Sequence, residues 1–149
     1  MKSCFFIGHR DAPNSIALKL RDEIERHITN FGVQFFIVGN YGQFDRMAQT
    51  ALIQAKKRHP DIFIKMGIPY HPALRHVELP EEFDGSYFPW GQEKVPHRSA
   101  ISRLNRILIQ ESDFLIAYVQ YISGGSYKAM KYAKNRESQG LIHITMLED

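Results

Sequence analysis

The sequence has 149 residues and a mass of 17.3 kDa, which is the size of one ordinary domain. Hydrophobic residues make up 44% and charged residues 23%, a globular composition that excludes wholesale disorder. The longest apolar runs are far too short to cross a bilayer, and residues 1–8 do not resemble a signal peptide. A single cysteine, Cys4, excludes an internal disulfide, so we expect a cytoplasmic protein. The short apolar runs give no reason to expect a membrane partner.

The charge is nearly balanced and evenly spread. The sequence has nineteen basic and sixteen acidic residues, which gives a net charge of +3 and a sequence pI near 9.0. A dedicated nucleic-acid binder concentrates its basic residues on one face or in a tail, because it must neutralise many phosphates together. We therefore do not expect nucleic acid as the main partner, whereas a small phosphorylated ligand needs only two or three well-placed donors.

Apolar runs and helical periodicities alternate along the chain. Strands are predicted at 3–7, 34–38, 62–68, 114–119 and 141–144, and helices at about 14–30, 44–59, 97–112 and 126–136. The remaining long stretch, 69–96, is expected to be irregular and either functional or mobile. Its aromatic side chains could stack on a base, pack on the core or contact a second subunit.

The predicted strands are continuously apolar, which is typical of strands buried on both faces of a parallel sheet. We therefore expect a single Rossmann-like α/β domain over residues 1–149, with about five mainly parallel strands and helices on both faces. Ligands of such sheets bind beyond the carboxyl ends of the strands. The candidate site is therefore confined to the three turns 8–14, 39–44 and 120–127.

The first turn begins Gly8-His9-Arg10-Asp11. A glycine at the strand end permits close backbone approach, and the Arg10 guanidinium suits a phosphate or a carboxylate. His9 could polarise a ligand oxygen or act as an acid or base near neutral pH. Alternatively, Arg10 pairs with Asp11 or another neighbouring carboxylate, and His9 is structural.

The second turn carries Gly39, Asn40 and Gly42 just before a predicted helix. Free backbone amides and the positive end of the helix dipole would make it an anion site. Asp45 falls in the first helical turn, where it could accept a hydrogen bond from a ribose hydroxyl or simply favour the helix dipole. Glycines also occur in such turns for chain reversal alone.

The third turn repeats this pattern with Gly124, Gly125 and Ser126, whose amides and hydroxyl could converge on one phosphate. Two such turns side by side are more specific than either alone. Arg98, near the start of the predicted helix 97–112, could reach a bound phosphate or face solvent. The spaced histidines His71 and His76 form no tight ligand cluster, so no metal site is expected.

Together these turns carry a family resemblance. The segments are Phe-Phe-Ile-Gly-His-Arg-Asp (5–11), Val-Gly-Asn-Tyr-Gly-Gln-Phe-Asp (38–45), Arg-Leu-Asn-Arg (103–106) with Glu-Ser-Asp-Phe-Leu-Ile-Ala-Tyr (111–118), and Gly-Gly-Ser-Tyr-Lys-Ala-Met-Lys-Tyr-Ala (124–133). They resemble the SLOG superfamily, which includes the LOG phosphoribohydrolases and the DNA-processing protein DprA, and most of all its small bacterial YpsA-like members. The resemblance covers nearly the whole chain and implies a Rossmann-like domain for a nucleotide or a nucleotide-derived ligand.

The sequence departs from the LOG pattern Pro-Gly-Gly-x-Gly-Thr-x-x-Glu, whose glutamate supports cleavage of the N-glycosidic bond. Aligning the glycine pairs places Lys131 at the glutamate position, and aligning Gly-Thr with Gly125-Ser126 places Ala129 there. Neither is an acid. Asp45 or Asp113 could substitute, but Asp113 precedes a predicted strand and is expected at the opposite end of the sheet, so Asp45 is the candidate carboxylate.

We therefore expect binding or sensing of a nucleotide or an ADP-ribose-like ligand, with no resident cofactor. The first alternative is a LOG-like hydrolase of nucleoside monophosphates, and the second is a DNA-binding accessory protein. A homo-oligomer is compatible with either.

Overall fold

The structure, a computed structural model, describes residues 1–149. Six strands form one all-parallel sheet in the order β4-β3-β2-β1-β5-β6. The strands are β1 (Lys2–Gly8), β2 (Val33–Val38), β3 (Phe63–Gly67), β4 (Ser86–Tyr87), β5 (Phe114–Tyr118) and β6 (His143–Met146). The helices are α1 (Ala17–Thr29), α2 (Gln43–Arg58), α3 (Ala100–Glu111) and α4 (Gly125–Ser138).

The expected Rossmann-like fold is confirmed, with six strands instead of five. The missed strand, β4, has two residues and lies inside the segment predicted to be irregular. It pairs with β3 through Met66↔Ser86 and Gly67↔Tyr87. A two-residue strand has too few positions to show any alternation of polarity, so the sequence pattern contained no signal for it.

Several predicted boundaries shift because the chain enters its helices through tighter turns. Single 3-10 turns at Asn14–Ile16 and His97–Ser99 precede α1 and α3, which begin at Ala17 and Ala100. The last strand lies two residues later than predicted, at His143–Met146.

The sheet is covered on both faces because successive side chains of each strand point in opposite directions. Cys4 and Phe6 of β1 belong to a cluster of 22 buried residues that includes side chains of α1 and α2. Phe5 and Ile7 belong to a second cluster of 11 buried residues that includes side chains of α3 and α4. This two-sided burial is the physical reason for the continuous apolar runs.

The segment between β3 and α3 is attached to the domain by the buried side chain of Gln92. Its Nε2 donates hydrogen bonds to the carbonyls of Pro69 (3.2 Å) and Ala100 (2.6 Å). Its Oε1 accepts a hydrogen bond from Arg103 at 2.8 Å. Within the same segment Trp90, the only tryptophan, is 83% exposed and has the Lys94 ammonium 4.7 Å from its ring centroid. None of the helices has the combination of length and apolar character that crossing a membrane would require.

Candidate functional site

A cleft of about 360 Å³ lies at the carboxyl ends of the central strands. Strand β1 runs between β2 and β5, so the turns that follow these three strands meet at one edge of the sheet. Helix α3 closes one side through Ile101, Leu104 and Asn105. The expected convergence of the three turns at one edge is confirmed.

The cleft contains most of the residues singled out in the sequence. Eight of them line it: Gly8, His9, Arg10, Gly39, Asp45, Gly124, Gly125 and Ser126. Asn40, Gly42 and Arg98 do not line it. Asn40 accepts a hydrogen bond from Gln49 at 3.2 Å, and Arg98 is exposed in the 3-10 turn before α3.

The N-terminus of α4 is open to the cleft. The backbone N–H groups of Gly125, Ser126 and Tyr127 have no acceptor in the protein, and no side chain caps the helix. A Cβ built on Gly124 or Gly125 would meet no atom within 4 Å. The Ser126 hydroxyl donates a hydrogen bond to the Gly8 carbonyl (3.0 Å), which attaches the start of α4 to the end of β1. Unpaired amides at the positive end of a helix dipole attract anions.

The N-terminus of α2 starts in the same way but is closed. Gly42 and Gly124 precede their helices with nearly the same backbone angles, φ 108° and ψ −178° against φ 95° and ψ −178°. In α2, however, the Gln43 and Phe44 amides donate to the carbonyls of Arg10 (2.9 Å) and His9 (3.4 Å). The anion site expected at this turn is therefore corrected: its amides hold the first turn against α2.

Asp45 is a half-buried carboxyl group in the wall of the cleft. Its Oδ2 accepts a hydrogen bond from the Tyr41 amide at 2.8 Å and lies 2.7 Å from where a Cβ of residue 39 would be. Gly39 is thus required to make room for this carboxylate. Burial raises the pKa of Asp45 from 3.8 to about 6, against the opposing effects of the Tyr41 amide and the Arg10 guanidinium. The cleft therefore contains a group that changes charge just below neutral pH.

Arg10 is the free cation of the first turn. It is exposed, lines the cleft, and forms no ion pair or side-chain hydrogen bond in the structure. The alternative that it pairs with Asp11 is not what the structure shows, because Asp11 accepts a hydrogen bond from the Tyr121 hydroxyl at 2.8 Å. Its guanidinium remains available to a ligand.

His9 is buried between the first and third turns, with 7% of its surface exposed. Its Nε2 is 2.7 Å from the Gln120 amide nitrogen and 3.2 Å from that of Tyr121. Since backbone N–H groups only donate, Nε2 accepts both bonds and carries no proton. Burial lowers the pKa of His9, while the nearby Asp11 carboxylate acts in the opposite direction. His9 is therefore neutral at pH 7, with its proton on Nδ1.

Sequence reasoning missed Tyr121 and did not single out Asn105 as a site residue. Tyr121 lines the cleft and stacks on His9, with ring centroids 4.2 Å apart. No sequence pattern marks a tyrosine just beyond a strand as a cleft residue. Asn105 follows Leu104 on the part of α3 that faces the cleft. It falls at helical spacing with Arg98, Ser102 and Arg106 on the polar side of the predicted helix 97–112, which was a usable signal.

A group of aromatic and cationic side chains lies beside the cleft. The Tyr70 ring stacks on His97 with centroids 4.2 Å apart, and the Arg75 guanidinium lies 4.5 Å from the centroid of the same ring. The positive charge of Arg75 also acts on Tyr41, which lines the cleft: it opposes the rise in the pKa of Tyr41 that burial causes. Of the aromatics expected to stack on a base or to pack, Tyr70 is thus already occupied by protein partners.

The sequence matches no family model. No curated protein matches it either. Among solved structures, the fold is similar to that of DNA processing protein A from Helicobacter pylori, a protein with a single-stranded DNA binding mode. That structure has 16% sequence identity and a TM-score of 0.57, and the match covers 96% of this chain and 74% of the other.

A second similar structure is the molybdenum cofactor carrier protein from Chlamydomonas reinhardtii. It has 12% identity and a TM-score of 0.59, with 97% of this chain and 90% of that chain covered. Both likenesses support the expected Rossmann-like fold. At these identities they concern the fold alone, and the resemblance to the SLOG superfamily and its YpsA-like members stays a prediction.

Proposed function

We propose that this protein binds a small phosphorylated ligand derived from a nucleotide, with a phosphate on the N-terminus of α4. The observation that carries the proposal is the open start of α4, which borders the cleft. Its first backbone amides are unpaired, and the space beside its two glycines, where a Cβ would lie, is empty. Bound anions at such positions gain from the helix dipole and from direct N–H donation. Arg10 supplies an exposed positive charge from the adjacent turn.

The dimensions of the cleft support a ligand of sugar-phosphate or nucleotide size. Neighbouring strands lie about 4.8 Å apart, so the turns after β2 and β5 are separated by about 10 Å. A phosphate at Gly125 would leave the rest of the ligand between the Asp45 carboxyl and the apolar wall formed by Ile101 and Leu104. The volume of about 360 Å³ lies within the range of roughly 300–1,000 Å³ for small-molecule sites.

Calorimetry with ADP-ribose, AMP and adenosine tests this proposal. The phosphorylated compounds should bind at least tenfold more tightly than adenosine, because only they can use the α4 amides. Arg10→Gln should weaken ADP-ribose binding about tenfold, an effect expected for one charge-assisted hydrogen bond. Arg98→Gln is the matched control, since Arg98 is exposed and outside the cleft, and it should leave the affinity unchanged. Equal affinities for AMP and adenosine would overturn the proposal.

The enzyme alternative makes a separate prediction about base release from nucleoside monophosphates. Glycosidic cleavage builds positive charge on the ribose, which a nearby carboxylate stabilises. Lys131 lies against the Tyr127 ring (5.6 Å to its centroid), and neither it nor Ala129 lines the cleft. We expect turnover about a hundredfold to a thousandfold below that of an enzyme with the glutamate in place.

Chromatographic assay of free base with the wild type and Asp45→Asn measures this. Turnover at ordinary enzyme rates that is lost in Asp45→Asn would assign catalysis to Asp45 and replace the binding proposal with the hydrolase. The DNA alternative is tested by titration with a single-stranded oligonucleotide at several salt concentrations, where we expect no salt-dependent complex.

A further inference from the structure

His9 connects two of the turns that form the cleft. It follows β1 directly, and its ring packs against two tyrosines of the neighbouring strand and loop. It stacks on Tyr121 and meets Tyr118 edge-on, with centroids 4.2 Å and 5.8 Å away. A merely space-filling histidine would not need the two hydrogen bonds that its Nε2 also accepts.

Those two bonds engage the backbone that leads into α4. The donors are the amides of Gln120 and Tyr121, between the end of β5 and the glycine pair. Apart from Ser126, whose hydroxyl donates to Gly8, and Tyr121, whose hydroxyl donates to Asp11, these are the hydrogen bonds that join this loop to the first turn. The two bonds to His9 are thus half of the four hydrogen bonds that hold the start of α4 and its preceding loop against the first turn.

We propose that neutral His9 is a positioning residue that holds the 119–124 loop for anion binding, and that protonation of His9 releases this loop. The proposal rests on the proposed function of the α4 N-terminus. An imidazolium has donors on both nitrogens and no acceptor, so a proton on Nε2 would face the Gln120 and Tyr121 N–H groups donor to donor. Both bonds would be lost together.

The groups around His9 work in both directions. Asp11, on its own turn, is the nearby carboxylate that favours the protonated ring, while burial disfavours it. Tyr118 of β5 donates its hydroxyl to Asp149 at 3.0 Å, and Tyr121 donates to Asp11, so both phenols are engaged. The helix packed behind this turn, α2, donates backbone amides to the carbonyls of residues 9 and 10, and its Asp45 carboxyl interacts with the Arg10 guanidinium. Loop release is therefore expected on the acid side of neutrality.

The sign of the effect separates positioning from plain electrostatics. A positive charge gained by His9 beside the cleft would by itself tighten the binding of an anion. A released loop would weaken it, because the α4 amides lose their fixed direction. Acidification thus weakens binding through His9 even though the charge changes in the anion's favour.

The first test needs no ligand. Nitrogen-15 NMR of the His9 ring should show an unprotonated Nε2 at pH 8. As the pH is lowered, the amides of Gln120, Tyr121 and Ser123–Ser126 should shift or broaden with the midpoint of His9. His27, the other fully buried histidine, is the control, because its ring packs against Phe31 and Phe114. Its titration should not move these amides. A protonated Nε2 at pH 8, or loop amides that ignore His9, would overturn the proposal.

The second test compares two variants by ADP-ribose calorimetry between pH 8 and pH 5. His9→Gln keeps an acceptor that does not titrate. Its affinity for ADP-ribose should equal that of the wild type at pH 8, and the ratio of the His9→Gln affinity to the wild-type affinity should rise as the pH falls. His9→Leu removes the acceptor and should bind about tenfold more weakly at pH 8. Circular dichroism confirms that each variant is folded. Parallel pH profiles of the wild type and His9→Gln would refute the positioning role.

The two proposals fail in distinguishable ways. Asp45 ionises in the wild type and in both His9 variants, so its effect on affinity cancels when each variant is compared with the wild type at the same pH. The ratio of the variant affinity to the wild-type affinity therefore reports on His9 alone. If no phosphorylated ligand binds, the proposed function fails while the NMR coupling between His9 and the loop can still be observed. If ligands bind and the coupling is missing, the proposed function stands and the role of His9 falls.

Discussion

Gly8 and Phe44 illustrate how close the first turn lies to α2. A Cβ on Gly8 would lie 2.1 Å from Cγ of Phe44, whose ring is completely buried. The glycine was predicted to give a ligand access to the backbone, but its first structural requirement is this contact. Its carbonyl also accepts a hydrogen bond from the Ser126 hydroxyl, so Gly8 contacts the starts of both α2 and α4.

We expect Gly8→Ala to lower the free energy of unfolding by about 3 kcal/mol, because the Phe44 ring is enclosed and has no space to move into. Urea titration measures the loss. Gly125→Ala, where a Cβ meets open space, is the control and should cost less than about 0.5 kcal/mol. A loss at Gly8 as small as that of the control would show that α2 moves freely relative to β1.

Asp45→Asn is expected to raise the free energy of unfolding by about 1 kcal/mol at pH 8, a value reduced because the carboxylate is half open to water. The pKa of Asp45 is about 6, above the 3.8 of an exposed aspartate. Its contribution to stability is therefore fully present below pH 3.8 and is lost as the pH rises through 6. Asparagine keeps an acceptor for the Tyr41 amide without the charge.

Thermal unfolding of both proteins at pH 8 and at pH 4 provides the measurement. The advantage of Asp45→Asn should disappear at pH 4, where the wild-type carboxyl is also neutral. A constant difference at both pH values would mean that the charge of Asp45 is not what destabilises the fold.

At the scale of elements, α2 and α4 show how two similar turns acquire different roles. Each helix follows a glycine in a conformation that only glycine adopts readily, with positive φ and ψ near 180°. The first turn closes the start of α2 through two carbonyls, whereas nothing comparable reaches α4. The difference is that the carbonyls of His9 and Arg10 point at the first amides of α2, whereas no neighbouring turn points a carbonyl at the first amides of α4.

Gly124→Ala and Gly125→Ala should therefore differ although the residues are adjacent. Gly124→Ala forces an alanine to φ 95° and should cost about 2 kcal/mol of stability. Gly125 is already part of α4, and a Cβ at this position meets open space, so Gly125→Ala should leave the stability of the fold unchanged. Chemical denaturation of the two variants tests this, and equal losses would contradict the assigned backbone conformation. Gly125→Val should keep the fold and obstruct the phosphate.

Much of the fold was predictable because its signals are local. Continuous apolar runs predicted five of the six strands, and the glycine pair at 124–125 predicted the open helix start. The closed start of α2 was not predictable, since it depends on the Arg10 and His9 carbonyls meeting α2 in three dimensions. The role of His9 depends likewise on the register Gly8↔Tyr118, which places the residues after β1 and β5 side by side. No sequence pattern reports such a register.

For the whole molecule, the buried ionisable groups make opposing contributions to stability below neutral pH. Burial lowers the pKa values of His9 and His27 from 6.5, so their contributions are present above pH 6.5 and are lost as the pH falls below it. Asp45 acts in the opposite direction, because its contribution grows as the pH falls through 6. Between pH 7 and pH 5 the wild type should therefore lose less stability than the two histidines alone would cause.

Removing one side of this balance should expose the other. Asp45→Asn should lose stability more steeply than the wild type between pH 7 and pH 5, and the double variant Asp45→Asn/His27→Phe should lose less than Asp45→Asn. His27 is the suitable histidine because its Nε2 is buried without a partner and its ring already lies among aromatic rings. Melting temperatures across this range measure the slopes. Identical slopes for all three proteins would show that these groups titrate alike in the folded and unfolded states.

The exposed position of Trp90 determines how such experiments are best observed. Because its indole is already in water in the native protein, its fluorescence should change little when the core unfolds. The eighteen phenylalanine, tyrosine and tryptophan rings include seven tyrosines, several of them buried or hydrogen-bonded, so near-ultraviolet circular dichroism is the more sensitive probe of global unfolding. Trp90 emission reports instead on the segment that Gln92 attaches to α3. A change in that emission with added ligand, at constant tyrosine signal, would show that this segment moves while the rest of the domain stays folded.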